Sequence, residues 1–515
     1  MIAEDQADVV AFLGDPRSHG STDPVEIIRT HISEIFLVGD RAFKMKRAVK
    51  LPYVDFSTFT LRQEACQEEV SLNRMTAPGL YLGVRYITRE GDGRLAFDGE
   101  GPRVEPVVEM VRFAQESLFD RMAVDGALTP DLMTATARAI ARFHRSAPVV
   151  SSKTGSQNIS AVLDINEAGF RTSNVFTSEQ VAQICDLFRL RLDTHRDVMD
   201  RRAEAGKIRR CHGDLHLRNI CFFDDEPRLF DCIEFNPQIA ISDVLYDVAF
   251  LLMDLWHRGL PDLANLVANR YLDEGQDDDG FCLLPFFMAT RAAVRAHVTA
   301  TQASEAEPAS AAKLAEEARS YYRLAIALLD EPSIEFVAIG GLSGSGKTTL
   351  AEFLAPHLGA PPGARIIESD RVRKSMHGVS AETRLPPAAY RPEVSKQVYG
   401  ELAWRAAMIL EQGCSVVVDG VFQRQGDRQA IGRAGARAHV PFLGVWLEAD
   451  PQLLWQRVAA RHAGPSDADI AVLARQLDRQ PSEVDWMHLD AARPIEENCA
   501  IILDALKTRP IASVQ

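Results

Sequence analysis

The 515-residue sequence predicts two consecutive domains: an α+β domain over residues 1–330 and an α/β domain with a parallel sheet over residues 331–515. Three observations support this fold class. The chain is too long to fold around one hydrophobic core. Its first part places short strands near the start and long helices after them, which is typical of an α+β fold. After Glu331-Pro332-Ser333, β-branched strands alternate with helices, which is typical of a parallel sheet covered on both faces.

The elements of the first domain follow from apolar periodicity and turn residues. Gly39-Asp40 is the expected hairpin turn between two early strands. The predicted strands are Val25–Ser33, Glu34–Val38, Arg41–Arg47, Val107–Phe113, Ile220–Phe223 and Arg228–Phe230. The predicted helices are Thr60–Thr76, Leu132–His144, Ser178–Gly206 and a helical stretch from Asp243 to Leu329. The helical part is therefore interrupted by one loop region, between Arg209 and Asp231.

The second domain begins where Pro332 ends the last of these helices. An apolar strand, Ile334–Ile339, leads into a glycine-rich turn, and a helix follows from Lys347 to about His357. The other predicted strands are a strand that starts at Ile366 and ends at Asp370, Ser415–Val418 and Phe442–Leu447. The other predicted helices are Glu393–Glu411, Pro451–His462 and Asp467–Gln480.

Composition and charge restrict the function classes. The formal net charge of −15 argues against a nucleic-acid or anionic-membrane surface. The longest apolar run, near Val248–Trp256, is broken by Asp254 and is too short to span a bilayer. The eight cysteines form no Cys-x-x-Cys pair, which favours reduced thiols. We therefore expect a soluble cytoplasmic protein with no membrane partner, and a nucleic-acid partner is disfavoured.

The first motif is HGDLHLRN, His212 to Asn219, followed by LFD ending at Asp231. Phosphoryl transfer requires a carboxylate that orients the acceptor hydroxyl, and metal ligands for the phosphates. Asp214 has the position of that carboxylate, and Asn219 and Asp231 offer the hard oxygen ligands that Mg²⁺ prefers. Any one of these residues alone fits a capped turn or a strand end. Their order and spacing favour a kinase site, with His212 as a structural residue and the role of His216 open.

These residues resemble the aminoglycoside phosphotransferase family, small-molecule kinases with a two-lobed, protein-kinase-like fold. The resemblance covers roughly residues 25–325 and includes SDVLYDVAFLL, Ser242–Leu252. It implies ATP and Mg²⁺, with Lys44 on the α/β phosphates and Glu69 as its ion-pair partner. Lys46 and Glu68 are the alternatives for these two roles. Because no G-x-G-x-x-G precedes Lys44, the resemblance leaves phosphate cover to the turn near Thr30–Glu34, with Ser33 as a candidate.

The second motif is GLSGSGKT, Gly341 to Thr348, between a predicted strand and a predicted helix. Backbone N–H groups in such a loop point at phosphate oxygens, and Lys347 reaches the β/γ phosphates as a nucleotide-binding and catalytic group. The Thr348 hydroxyl completes a magnesium shell. The predicted nucleotide contacts are Gly341, Ser343, Gly344, Ser345, Gly346, Lys347, Thr348 and Thr349.

Further polar residues follow the glycine-rich loop. Asp370, beside Arg373 and Lys374, suits a catalytic base for an acceptor hydroxyl with a clamp for an anionic substrate, or else a cap of the helix 371–376. Asp419 ends another strand, where it could position a magnesium-bound water or the substrate. Two arginines four residues apart fit a lid over ATP, or a solvated helix face; they are Arg457 and Arg461.

This second set resembles the small P-loop kinases, a group that includes gluconate kinases, polynucleotide-kinase-like domains and zeta toxins, over about residues 332–505. A mechanical AAA+ ATPase is disfavoured, because Asp419 is followed by Gly420 and not by Glu. The resemblance implies a P-loop NTPase fold that uses ATP and Mg²⁺.

Together the two motifs predict a bifunctional ATP-dependent phosphotransferase. Each site is expected to transfer the ATP γ-phosphate to a small-molecule hydroxyl, with an aminoglycoside-, sugar- or amino-alcohol-like acceptor in the first domain. One alternative is a single active kinase whose other domain is a regulatory ATP-binding module. A third is phosphorylation of a protein or of a nucleic-acid end. The acceptors and the oligomeric state stay open at this level.

Overall fold

The computed structural model describes residues 4–51, 54–151, 155–460, 464–479 and 483–508. The backbone packs as two compact units. The first consists of residues up to Ser160 together with Arg196–Asp254, and the second of Ala161–His195 together with residues from Leu255 onward. Among the described residues, no helix is both long enough and apolar enough to cross a membrane.

An antiparallel sheet of six strands, in the order β1-β2-β3-β8-β6-β7, organises the start of the first unit. The elements up to this point are α1 (Ala7–Gly14), β1 (Glu26–Arg29), β2 (Ser33–Val38), β3 (Arg41–Lys46), β4 (Lys50–Leu51), β5 (Val54–Asp55), α2 (Phe59–Thr76), β6 (Tyr81–Arg89), β7 (Leu95–Phe97) and β8 (Arg103–Val111). In the β2–β3 hairpin Ile35 lies opposite Lys44, and β8 covers the other edge of β3. Strand β3 is therefore held on both sides.

Helix α2 packs on this sheet because its apolar and polar residues are spaced to form one buried face. Thr58 caps its start, since the Thr58 hydroxyl accepts a hydrogen bond from the Leu61 N–H. Cys66, Glu69, Val70 and Asn73 then follow at intervals of three and four residues, and all four are buried. A glutamate on this inward face needs a cation, which the sheet provides.

Helices and short hairpins follow this sheet along the chain. The elements are α3 (Phe119–Val124), α4 (Pro130–Ser146), α5 (Gly155–Thr172), α6 (Ser178–Glu204), β9 (Ile208–Arg210), β10 (Ile220–Phe223), β11 (Glu226–Leu229), α7 (Pro237–Ala240), β12 (Ile241–Asp243) and α8 (Val244–His257). Helices α5, α6 and α8 each contribute residues to both units. Strands β10 and β11 form an antiparallel pair, as do β12 and β9. The loop between β9 and β10 carries the HGDLHLRN motif.

The second unit is organised by a five-stranded parallel sheet in the order β14-β15-β13-β16-β17. Its elements are α9 (Pro261–Gly275), α10 (Leu284–Glu305), α11 (Pro308–Leu328), β13 (Phe336–Gly341), α12 (Lys347–Leu354), β14 (Arg365–Glu368), α13 (Ser369–Met376), α14 (Pro392–Glu411), β15 (Val416–Asp419), α15 (Gln425–Arg437), β16 (Phe442–Glu448), α16 (Pro451–Ala459), α17 (Ile470–Asp478), β17 (Met487–Asp490) and α18 (Ile495–Lys507).

Parallel pairing brings the carboxyl ends of the central strands to one edge. Strand β13 is fully buried and pairs with β15 and β16. Ile339 lies opposite Asp419, and Glu368 of β14 also lies opposite Asp419. The glycine-rich loop and two acidic strand ends therefore meet at the edge where ligands bind in open α/β sheets. The two kinds of sheet confirm the predicted fold class.

Some predicted element boundaries are wrong. Asp370 does not end a strand: β14 ends at Glu368, and Asp370 lies in the first turn of α13. The first predicted strand is shortened to Glu26–Arg29. The predicted lid helix ends at Ala459. In each case the real element stops where a turn or a capping residue takes over the backbone hydrogen bonds.

Candidate active sites

A buried lysine–carboxylate cluster forms the centre of the first site. The ammonium Nζ of Lys44 on β3 lies 2.8 Å from Glu69 Oε1 on α2 and 2.5 Å from Asp231 Oδ1. Asp231 follows strand β11 in a left-handed backbone conformation, with φ +64°. Its N–H donates to the Tyr81 hydroxyl at 3.2 Å. The structure thus brings together Lys44 of strand β3, Glu69 of helix α2 and Asp231, which follows strand β11.

Burial and charge set the ionisation of this cluster. Burial alone would raise the pKa of Glu69, but the ammonium groups of Lys44 and Lys46 lower it to about 2. Burial works to lower the pKa of Lys44, but Asp231 and Glu69 outweigh it, and this pKa lies well above its ordinary value. The ion pair is therefore charged on both sides at neutral pH.

The alternatives for the two roles occupy different places. Lys46 also contacts Glu69, at 2.5 Å from Oε2, and it forms a second ion pair with Glu234. Glu68 faces away from both lysines and pairs with Arg210 at 2.9 Å. Glu69 is thus shared between two lysines, and Lys44 is the lysine that also reaches Asp231.

The HGDLHLRN loop places Asp214 and Asn219 side by side. The Asn219 amide nitrogen donates to the Asp214 carboxylate Oδ2 and to its backbone oxygen, both at 2.9 Å. The amide oxygen of Asn219 is then the atom that can ligate a metal. His216 Nε2 lies 3.3 Å from Asp214 Oδ2, and His216 also caps the short helix Leu217–Asn219 by accepting from the Arg218 N–H. The Asp214 side chain is 41% exposed, so an acceptor can reach it.

Asp247 on α8 is a residue that the motif analysis missed. Its carboxylate accepts hydrogen bonds from the backbone N–H groups of His212 (3.1 Å) and Gly213 (2.8 Å), and from His144 Nε2 (3.0 Å). His212 itself is buried and donates to the Phe230 carbonyl at 2.9 Å, and burial lowers its pKa. An aspartate in the apolar segment SDVLYDVAFLL is a sequence signal, because a buried carboxylate needs donors.

The turn before β2, expected to cover phosphate, is closed by hydrogen bonds between Thr30 and Ser33. The Thr30 N–H donates to the Ser33 carbonyl, and the Ser33 N–H donates to the Thr30 hydroxyl at 2.9 Å. Ser33 is buried opposite Lys46 in the hairpin, and its hydroxyl has no hydrogen-bond partner among the residues that the structure describes. This closed turn therefore holds Ser33 on the side of the sheet that carries Lys46.

The second site is a phosphate-binding loop between β13 and α12. Gly344 and Gly346 have φ near +88° and +87°, which L side chains rarely adopt. A Cβ on Gly344 would lie 2.9 Å from the Leu454 carbonyl oxygen. The loop is therefore a backbone cradle packed closely against α16, where a side chain at position 344 would clash. Ser343 is buried, and its N–H donates to Gln476 Oε1 of α17 at 2.9 Å.

Lys347 and Thr348 begin the helix after the loop. Lys347 Nζ donates to the Leu342 carbonyl at 3.1 Å, so the lysine is folded back over the cradle. The Thr348 hydroxyl donates to Asp419 Oδ2 at 2.5 Å. Burial raises the pKa of Asp419 to about 7, although Lys347 opposes this rise. The structure thus brings Asp419 to the hydroxyl that would ligate magnesium.

Asp370, Arg373 and Lys374 lie close together in sequence but have different partners. Burial raises the pKa of Asp370, while a hydrogen bond from Ser466 and the charges of Arg373 and Lys347 lower it. The Arg373 guanidinium donates to the Ala389 carbonyl at 2.8 Å and stacks over the Tyr390 ring. Lys374 is buried and pairs with Asp467 at 2.8 Å. Lys374 is therefore a structural cation and not a free clamp.

A cavity of about 380 Å³ adjoins the phosphate-binding loop. It is lined on the loop side by Gly344, Ser345, Gly346 and Thr349, and on the other side by Arg457 and Arg493, among others. Arg457 also donates to the Ala491 carbonyl at 3.1 Å. Arg461 lies outside the described residues. Arg493, which no motif indicated, joins Arg457 as a cation facing the loop.

The donor sets of both sites fit magnesium and a nucleotide. Asn219 and Asp231 offer amide and carboxylate oxygens, and Thr348 offers a hydroxyl. These are the hard oxygen ligands of Mg²⁺ in phosphoryl-transfer sites. The cradle of backbone N–H groups at a helix start fits phosphate. The residues present therefore match the groups that the two motifs imply.

Comparison with protein families agrees with this geometry. Residues 95–283 match the family model described as the phosphotransferase enzyme family, and residues 336–482 match that described as an AAA domain. The two resemblances inferred from the motifs are thereby confirmed, as a kinase-like N-terminal domain and a P-loop kinase domain. The chain is an ATP-dependent phosphotransferase that acts on hydroxyl groups.

Relatives and solved structures extend over both parts of the chain. The uncharacterised proteins Rv2004c of Mycobacterium tuberculosis and Mb2027c of Mycobacterium bovis are each 28% identical over 492 residues, 93% of this chain and 95% of each relative. A choline kinase from Cryptosporidium parvum is 12% identical, covering 59% of this chain and 88% of its own, with a TM-score of 0.39. A gluconokinase from Sinorhizobium meliloti is 21% identical, covering 34% and 95%, with a TM-score of 0.24.

Proposed function

We propose that this chain is a bifunctional phosphotransferase in which each of two sites transfers the ATP γ-phosphate to the hydroxyl group of a small molecule. One observation carries the proposal. Each motif has a complete set of groups around it: a lysine for phosphate, oxygen ligands for a divalent ion, and a carboxylate placed for the acceptor. A site kept only for regulation would not need the acceptor carboxylate.

At the first site Asp214 is proposed as the catalytic base. Its exposed carboxylate orients the acceptor hydroxyl and receives its proton as the acceptor oxygen attacks the γ-phosphorus. The bond between the γ-phosphorus and the β-γ bridging oxygen breaks, and ADP leaves. Asn219 keeps Asp214 in place through its amide nitrogen. Magnesium, held by Asn219 and Asp231 when bound, supplies charge neutralisation to the phosphates.

Lys44 is proposed to bind the α/β phosphates at this site. In the structure its ammonium pairs with Glu69 and with Asp231, so the two carboxylates hold it at the position where phosphate would arrive. A change of partner from Asp231 to phosphate would leave Asp231 free to act as a metal ligand. Glu69 would stay paired with Lys46 during this change.

At the second site the backbone of residues 341–349 is proposed to hold the phosphates, with Lys347 neutralising charge on the transferred group. Asp370 is proposed as the base for the acceptor hydroxyl, because it lies at the start of α13 beside Arg373 and because burial raises its pKa, which makes its carboxylate a stronger base. Arg457 would cover the nucleotide. Arg373 and Asp419 would contact or position the substrate, and Thr348 would ligate magnesium.

The finer features of the proposal come from the family resemblance and from the sequence. An aminoglycoside-, sugar- or amino-alcohol-like acceptor is proposed for the first site, and the two domains are proposed to divide at residues 330 and 331. A cytoplasmic location is proposed because all eight cysteines, which the structure describes, are free thiols.

The test is ADP release from the full-length chain with ATP, Mg²⁺ and a panel of hydroxyl metabolites. Asp214→Asn should remove turnover with one group of acceptors, and Lys347→Ala should remove turnover with another group. Two matched controls carry the same changes at exposed positions, Asp225→Asn and Lys313→Ala, and should retain both activities.

The same variants separate this proposal from its alternative. If Asp214→Asn removed all turnover and Lys347→Ala changed only the response to ATP concentration, the first site would be the single active kinase. The P-loop domain would then be a regulatory ATP-binding module, and the bifunctional proposal would be wrong.

A further inference from the structure

A buried arginine outside the P-loop family match contacts two elements of the second site. Arg270 lies on α9, in the stretch matched by the phosphotransferase family, and is 4% exposed. Its guanidinium lies 2.9 Å from Glu368 Oε1, and it also pairs with Glu352. A third acid, Asp273 of the same helix, lies 3.4 Å away. All these residues belong to the second compact unit.

The two glutamates belong to the framework of the phosphate and acceptor groups. Glu352 lies on α12, the helix that begins at Lys347. Glu368 ends β14, two residues before Asp370, and is the neighbour of Asp419 in the sheet. One guanidinium therefore joins the helix that carries the phosphate-binding lysine to the strand that leads to the proposed base.

The Arg270 guanidinium reaches the two glutamates through different nitrogens, Nη1 to Glu368 and Nη2 to Glu352. Arginine carries five donors in a fixed fork, so it can bind two carboxylates in different directions, whereas lysine acts as a point charge. Burial raises the pKa of Glu352, and Glu368 raises it further, while Arg270 lowers it. Without Arg270 the two carboxylates would repel each other across the gap between α12 and β14. Arg371 offers Glu368 a second cation at 2.8 Å, and its charge also lowers the pKa of Glu352, but the hydrogen bond to Glu352 comes from Arg270.

Helix α9 is fixed against β14 by uncharged groups as well. Asn269 Oδ1 accepts a hydrogen bond from the Ile366 N–H at 2.7 Å, in the manner of a neighbouring strand. Asn265 Nδ2 donates to the carbonyls of Pro362 (2.9 Å) and Ala364 (3.0 Å). The sheet edge at β14 is therefore covered by α9: Asn269, the neighbour of Arg270, contacts β14 itself, and Asn265 contacts residues of the loop before it.

We propose that Arg270 is a positioning residue of the P-loop site, which sets the spacing between the phosphate-binding helix α12 and the strand that leads to Asp370. Helix α9, which precedes the P-loop domain by more than fifty residues, is then part of the framework of that site. This inference rests on the proposed phosphoryl transfer by the second site.

The test uses the full-length chain with Asp214→Asn, so that ADP release reports the second site. Arg270→Gln is expected to lower kcat about tenfold and to change KM for ATP less than about threefold, because the base is displaced while the loop still binds phosphate. Arg270→Lys should restore part of kcat. Glu352→Gln, at a side chain 39% exposed, breaks one arm without burying a lone charge and should lower kcat less.

Asn265→Ala is the matched control, because it loosens the same helix on the same strand without touching either glutamate. It should lower the melting temperature and leave kcat unchanged. If Arg270 had only a structural role, Arg270→Gln and Asn265→Ala would lose kcat in the same proportion to their fall in melting temperature. Arg270→Lys would then restore none of the lost kcat. That result would overturn the proposal.

Amide hydrogen exchange separates this inference from the proposed function. If the parent chain released no ADP that depends on Lys347, the proposed transfer at the second site would fail. The amide hydrogen exchange rates would then test the positioning role of Arg270 without any measurement of activity. Arg270→Gln should cause a loss of protection in both 347–354 and 369–376, and Asn265→Ala should not. Equal protection in the two variants would contradict a positioning role.

Discussion

At the scale of single residues, the shared carboxylate of Glu69 determines the chemistry of the first site. The resemblance to the aminoglycoside phosphotransferases implies Lys44 and Glu69, and it leaves Lys46 and Glu68 as alternatives. It does not indicate that Lys46 pairs with Glu234, since these residues are 188 positions apart and Glu234 belongs to neither motif. The second site differs in this respect. Its phosphate-binding groups are consecutive in sequence, so the motif predicts nearly the whole loop.

The buried pair of Lys46 gives a stability prediction. Lys46→Met keeps the length of the side chain but leaves Glu234 and one oxygen of Glu69 without a cation in a buried site. We expect the free energy of unfolding to fall by about 3–5 kcal/mol. Urea unfolding measures it.

Lys50→Met is the control for this change, because the Lys50 side chain is 70% exposed in its pair with Asp55. It should cost less than about 1 kcal/mol. A Lys46→Met variant as stable as the Lys50→Met variant would show that the buried cluster does not need its second lysine.

At the scale of elements, the sequence predicts what is strongly periodic and misses what is not. The hairpin β2–β3, helix α2 and strand β13 lie within a few residues of their predicted positions. Strand β6, with nine residues, was missed because Gly83 and two arginines interrupt its alternation. Helix α15 is rich in glycine and arginine and has a weak apolar face. Asp370 was assigned to a strand end because Ser-Asp after an apolar run fits a strand end as well as a first helical turn.

His297 on helix α10 is expected to make the stability of the protein depend on pH. His297 Nε2 lies 3.2 Å from Asn166 Oδ1 on α5, and burial lowers the His297 pKa from 6.5 to about 4. Between these two pH values the unfolded chain binds more protons than the folded chain. The contribution of this site to stability is therefore complete above pH 6.5 and is lost as the pH falls towards 4.

His297→Gln is the variant that tests this, since glutamine does not titrate and keeps a donor for Asn166. From pH 7.5 to pH 5 the parent should lose up to about 2 kcal/mol more stability than the variant. Denaturant unfolding at the two pH values measures the difference. Equal losses of stability in the parent and the variant would contradict this prediction. They would show that the protonation of His297 does not differ between the folded and unfolded chains.

At the scale of the whole molecule, the boundary in the sequence and the compact units do not coincide. Pro332 marks the change of composition, and the composition alone predicts a division at residues 330 and 331. The second compact unit instead includes the whole stretch from Leu255 onward, because α9 covers the edge of β14. No sequence pattern indicates this, since the asparagines and acids of α9 have the composition of an ordinary solvated helix face.

A truncation tests the importance of this cover. Arg365 on β14 is almost fully buried and pairs with Asp273 at 2.6 Å and Asp278 at 2.8 Å. A fragment that begins at Glu331 lacks both acids and leaves the β14 edge unpaired, which favours aggregation. We expect it to melt at a lower temperature than a fragment that begins at Leu255. Thermal unfolding and light scattering of the two fragments measure the melting temperature and the aggregation. Equal melting temperatures without aggregation of either fragment would contradict this prediction.

The central claim is that one chain holds two separate nucleotide sites. Calorimetric titration with a non-hydrolysable ATP analogue and Mg²⁺ measures this directly as the number of nucleotides bound per chain. We predict two for the parent, one for Lys44→Met, one for Lys347→Ala and none for the double variant. A parent that binds one nucleotide, lost in only one of the single variants, would contradict the account.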